Sequence, residues 1–443
     1  MFSSLPRVAA SAVFAIAGTI VVTAPVKAEF LGEFKPELHG EIEIETLFNR
    51  TYNADKRHPG TSTNNFFSEF DDVVLRLGLF PQLGIVANIG FGPLEEELEP
   101  VKENPVNRHG YYKSMILYAE ELFVRYASSS LIRSDYVDEI GVFGGKFNPN
   151  FGLNNGNILS ENEFPGIFSE EYMEDYELKE MIGGGGNISF AHRRLGSHTL
   201  NASAFYRDNS FLQTTLISHR PQNKLAYGGV ANTGKPNSFS ITLEGEDISY
   251  VPGLRYKLGY RRLHKGETGG RSYDGQTVGE EEEGPRSGKG EVGWSAGLVY
   301  NKAFFLPRKT FKYPLDMKFM FEYAQFNTWN GQQSYFKEDR TYITPSLQAK
   351  YGPWKLAFIY SRRERNPIQT FTDAEREDIE DNQGIEVELW KPVGDDLYEV
   401  NLGYSFAKNW TLETSWAHME EFEDGLGNEK DLFGVQLNYS YLF

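Results

Sequence analysis

The sequence predicts an all-β chain: a transmembrane antiparallel β-barrel of sixteen strands, with eighteen as the alternative count. Three observations predict it. Apolar and polar residues alternate at period two in segments along the whole chain. The connections between these segments alternate long and short, as in barrels with long loops at one end and short turns at the other. Aromatics make up 14% of the 443 residues, with 25 Tyr and 33 Phe. No stretch after residue 28 approaches the ~18 apolar residues a spanning helix needs, so any crossing must be made by strands.

The N-terminus reads as an export signal. Arg7 supplies a positive start, residues 8–22 ("VAASAVFAIAGTIVV") an apolar run, and "VKA" at 26–28 a small-residue cleavage site. Cleavage after Ala28 leaves residues 29–443 as one barrel domain. It removes Arg7 and Lys27 and no acid, so the net charge of −18 becomes more negative by two. With no Cys in the chain, neither disulfides nor thiol chemistry enter the account.

The first segment, "LHGEIEIETLF", sets the pattern. Leu38, Gly40, Ile42, Ile44, Thr46 and Phe48 share one face, and His39, Glu41, Glu43 and Glu45 share the other. The spans are 36–50, 66–80, 83–93, 114–127, 137–147, 181–193, 197–211, 236–248, 252–265, 291–305, 313–329, 340–351, 354–365, 395–406, 409–422 and 432–443. In the segment 114–127, Glu120 falls in phase with Tyr118, Leu122 and Val124, which calls for a bulge or a slipped frame. Long connections are expected at 51–65, 94–113, 148–180, 212–235, 266–290, 330–339, 366–394 and 423–431.

A soluble sandwich also alternates. It could not bury the Arg, Lys and Glu that sit in mid-strand on the polar face, whereas a water-filled lumen solvates them. In lipid every backbone group must pair within the protein, so the sheet must close and strand one must meet strand sixteen. The chain then ends on strand, at "FGVQLNYSYLF".

The signal, the sixteen segments and the aromatic last strand resemble a Gram-negative outer-membrane porin. "GGKFNPNFG" at 144–152 is similar to the G-[KR]-F-x-P-x-F-G stretch of many porins, including the phosphate-selective ones. The resemblance implies that the third long loop, 148–180, folds inward and narrows the pore. It also implies a homotrimer in the outer membrane, and an assembly signal at Tyr439, Tyr441 and Phe443 for the barrel-assembly machinery.

That loop is acidic. Glu161, Glu163, Glu170, Glu171, Glu174, Asp175, Glu177 and Glu180 stand against Lys179 alone. A basic wall is expected opposite, from residues in lumen phase: Arg76, Arg125, Lys146, Arg207, Arg255, Lys257, Arg261 and Lys265. Opposed charges across a narrow passage set up a transverse field. Acids also point inward, at Glu41, Glu43, Glu45, Glu244, Glu322, Glu399 and Glu413. The loop has no dense Lys/Arg cluster, so the motif does not license a phosphate substrate.

The expected function is passive diffusion of ions and small hydrophilic solutes. The alternative is a substrate-selective channel for a sugar, phosphate or iron chelate such as a siderophore. An enzyme is not expected, because no His has a Ser or carboxylate partner at fixed spacing. No plug domain fits before the first strand. No cofactor, metal or nucleic acid is expected. "GGGG" at 183–186 lacks the Lys-Ser/Thr of a phosphate loop and marks close backbone approach within a strand. Acid runs at 95–99, 280–283 and 373–381 read as solvated loop charge, with divalent cations shared with lipopolysaccharide as a second use.

Overall fold

The computed structural model describes residues 34, 36–52, 62–80, 82–93, 107–110, 115–129, 136–153, 164–213, 215, 223–225, 229–266, 289–305, 307, 312–331, 338–367, 392–423 and 426–443. They form one closed sheet. Its strands are β1 (Glu37–Tyr52), β2 (Ser62–Phe80), β3 (Leu83–Pro93), β4 (Asn107–Gly110), β5 (Met115–Ser128), β6 (Val137–Phe147), β7 (Met181–His192), β8 (Gly196–Arg207), β9 (Ser238–Glu246), β10 (Leu254–Leu263), β11 (Glu291–Phe304), β12 (Leu315–Asn327), β13 (Glu338–Tyr351), β14 (Trp354–Pro367), β15 (Val393–Ala407), β16 (Trp410–Glu423) and β17 (Leu426–Leu442). Sixteen are long and antiparallel to their neighbours. The short β4 adds to β2 in parallel. Pairing of β1 with β17, from Glu41↔Leu442 to Tyr52↔Asp431, closes the ring.

The two faces differ as a lipid-solvated barrel requires. On the outer face Leu258, Trp294, Phe358, Val400 and Trp416 stay 36–53% exposed, with no protein covering them. Aromatics gather near both rims. At the end carrying the termini, Trp354 packs on Tyr404 and Trp410 on Tyr439, with ring centroids 4.4 and 4.7 Å apart. At the loop end Tyr260 packs on Trp294 and Tyr360 on Tyr398. No helix among the described residues is long and apolar enough to cross a membrane.

The expected strands match closely, and the departures have local causes. β5 carries a bulge: Asn88 pairs with Glu121 and Ile89 with Ala119, so Glu120 is the extra residue. β8 stops at Arg207 because the Asp208 carboxylate takes the Ser210 amide at 2.8 Å and turns the chain. The connection expected at 423–431 is a correction. β16 and β17 pair there, up to Glu423↔Leu426, so most of the charged run is strand. Gly183, in the "GGGG" run, lies so close to β8 that a Cβ would meet the Ala204 carbonyl at 2.1 Å. The export segment 1–28 and the three acid runs lie outside the described residues.

Candidate constriction site

The third loop runs inside the barrel. Its described parts are 148–153 and 164–180, and its first anchor is Asn148, just past the end of β6. The Asn148 amide donates to Glu121 at 2.7 Å and its side chain donates to Glu120 at 2.8 Å. Its Oδ1 accepts the Glu180 amide at 2.7 Å, which pins the two ends of the loop together. The chain then follows the inner wall. Asn150 bonds Glu244 of β9 at 2.5 Å. The Leu153 amide donates to Glu322 of β12 at 2.8 Å. At the far wall the amides of Ile167, Phe168 and Ser169 all donate to Glu399 of β15, at 2.7, 3.3 and 2.8 Å. The short helix α1 (Ser169–Glu174) begins there.

On its return the loop buries an apolar core inside the lumen. Tyr172, Met173 and Tyr176 join Phe151, Phe326, Trp329 and Tyr342. Fully burying such a side chain contributes roughly 1.5–3 kcal/mol. Arg261 lies over both Phe151 and Phe326, at 4.8 and 4.3 Å from their centroids, and donates to the Tyr176 carbonyl and to Glu291. The inward acids Glu322 and Glu399 therefore serve as acceptors for the loop's own amides.

Beyond α1, Asp175 meets the wall directly. Its Oδ2 accepts from Arg363 Nη1 at 2.8 Å and from the Tyr342 hydroxyl at 3.0 Å, with Arg340 Nη1 at 3.7 Å. Glu174 and Glu177 both pair with Lys179, at 3.2 and 3.3 Å. Burial pushes the Glu177 carboxyl up to about 8 against the pull of Lys179, with Glu174 and Glu120 adding to the rise. Glu180 pairs with Lys146 at 2.8 Å. Glu170 is half-buried, and Glu171 lies in α1. Glu161 and Glu163 lie outside the described residues.

The expected basic wall divides. Arg76, Arg125, Arg207, Arg255, Lys257 and Arg261 have lumen-facing register. Arg125 pairs with Glu139 at 2.9 Å, and the buried Lys257 lies 3.7 Å from Glu244. Lys265 is exposed beyond the end of β10. Lys146 has the other parity: its register partners are Leu122 and Ile182, on the outer face. It is fully buried at the rim, between Glu180 and Asp208, with the Leu212 carbonyl at 3.4 Å. Arg340 and Arg363 are additional site residues. Their signal is present in the lumen phase of "DRTYITP" and "SRRER".

The architecture is that of a closed antiparallel β-barrel of sixteen long strands. No family model matches the chain, and no curated protein matches it. Several solved structures align with the chain over most of its length. The outer membrane channel DcaP of Acinetobacter baumannii aligns at 9% identity and TM-score 0.47, over 93% of this chain and 99% of that one. OmpF of Salmonella typhi, in complex with daunomycin, aligns at 9% and 0.47, over 92% and 98%. A loop L8 deletion mutant of OmpT of Vibrio cholerae aligns at 12% and 0.45, over 92% and 99%. The barrel stands on the chain's own strand order, independently of these likenesses.

Proposed function

We propose that this protein is an outer-membrane porin, a water-filled channel for passive diffusion of ions and small hydrophilic solutes. The observation that carries this reading is the third loop docked inside a closed, polar-lined barrel. It narrows the lumen while leaving charged groups such as Arg76 and Glu174 exposed. In a sixteen-strand ring, strands eight places apart face each other. β1 offers Glu41, Glu43 and Glu45 to the lumen, and β10, the ninth long strand, carries Arg255 in lumen phase, with Lys257 and Arg261 buried beside it. Opposed walls of this kind give a field across the passage that sorts permeants by charge and dipole.

Export through residues 1–28, assembly by the barrel machinery through Tyr439, Tyr441 and Phe443, contact with lipopolysaccharide and a homotrimeric state belong to the same proposal. Release of graded sugars from liposomes tests it. Small sugars escaping and large oligosaccharides retained is the expected result. Full retention of the smallest sugar by liposomes holding folded barrel would refute it.

A further inference from the structure

Three donors from the barrel wall converge on one oxygen of the loop. Arg363 Nη1 and the Tyr342 hydroxyl lie 2.8 and 3.0 Å from Asp175 Oδ2, and Arg340 Nη1 lies 3.7 Å away. All three come from adjacent strands, β13 and β14. Each guanidinium lies over an aromatic ring, Arg340 over Trp329 at 4.6 Å and Arg363 over Tyr172 at 5.3 Å. Such stacking fixes the direction of the donors before any anion arrives.

Asp175 belongs to a network of charges along this wall. Among the described ion pairs, Arg340, Arg363, Arg365 and Lys430 are linked to Glu338, Asp395, Glu421 and Asp175. The first three acids belong to the barrel wall, and the fourth arrives on the loop. Without it the wall keeps a set of converging donors with their carboxylate acceptor removed. The place is partly open to solvent, since the Asp175 side chain is 29% exposed.

We propose that Arg340, Tyr342 and Arg363 form an oxyanion site in the channel wall, which Asp175 fills as a tethered carboxylate. A small carboxylate or phosphate would bind there in its place, by the same charge-assisted hydrogen bonds. Asp175 then sets selectivity by competition: it keeps the site closed to anions of low concentration. The transport consequence rests on the channel reading. The binding site does not.

The test uses Asp175→Ala and Asp175→Asn in the full chain, each checked for folding by heat-modifiable gel mobility. In detergent, acetate and inorganic phosphate at fixed ionic strength should raise the unfolding temperature of Asp175→Ala above its value in chloride. Wild type should not respond, and Asp175→Ala/Arg363→Gln should lose the response. In bilayers, Asp175→Ala should raise the chloride-to-potassium permeability ratio at least about two-fold, and acetate should reduce its chloride current saturably. Folded Asp175→Ala with no oxyanion-dependent stabilisation would overturn the site. A wild-type barrel without conductance would instead sink the channel reading, while the detergent measurement still decides the site.

Discussion

Gly40 and Phe443 close the barrel. Each donates its amide to the other's carbonyl at 3.0 Å. The Phe443 ring lies where a side chain at position 40 would stand, with its Cζ 2.3 Å from the place of a Cβ. A glycine on the first strand thus makes the seat for the aromatic residue that ends the last, a cross-strand pairing that helps fix register.

Gly40→Val should therefore disturb closure. The new side chain must displace the ring and also meets the Val74 carbonyl, 2.8 Å from its Cβ. Overpacking of this kind costs about 1–3 kcal/mol. Deleting Phe443 should act in the same direction. Both changes are expected to lower the yield of heat-modifiable barrel in outer membranes. Wild-type yield from both would contradict the seat.

Glu399 holds the far end of the third loop. Glu399→Ala leaves the amides of residues 167–169 and the Ser415 hydroxyl without this acceptor. A buried donor left unpaired costs about 1–3 kcal/mol. The variant should be cut in the third loop by protease while the barrel stays folded, and its current should become noisy. Glu399→Gln retains one acceptor oxygen and should fall between. A loop as resistant as wild type in Glu399→Ala would show that the apolar core alone docks it.

Glu177 should make the barrel pH-dependent. Its carboxyl rises from 4.5 to about 8 in the folded barrel, because burial penalises the charged form. Between these values the folded protein holds more of this proton than the unfolded chain does. Glu177 therefore makes stability fall as pH rises through that window, with no further change above it. Cation preference should increase between about pH 7 and 9 as the loop gains a negative charge. Glu177→Gln should flatten both profiles, and an unchanged pH profile in that variant would assign the effect elsewhere.

The strands were legible because alternation is a local signal. Even the bulge at Glu120 showed as a break in phase. The β16–β17 hairpin was not, since a run of Glu, Asp and Gly looks like a loop until its partner strand is known. The inward direction of Glu322 and Glu399 was readable from phase. Their use was not, because the amides they accept belong to residues 169 and 230–232 positions away in sequence. Phase places Lys146 with the lumen-facing residues, yet its register with Leu122 gives it the other parity. The meeting of Asp175 with Arg340 and Arg363 depends on the path of the loop across the barrel, which no local pattern encodes.

Single-channel recording of the purified, heat-modifiable barrel in planar bilayers tests the central claim most directly. A water-filled pore predicts discrete steps of current that grow linearly with voltage and with salt concentration. Folded barrel that inserts yet gives no steps at any salt concentration would contradict it.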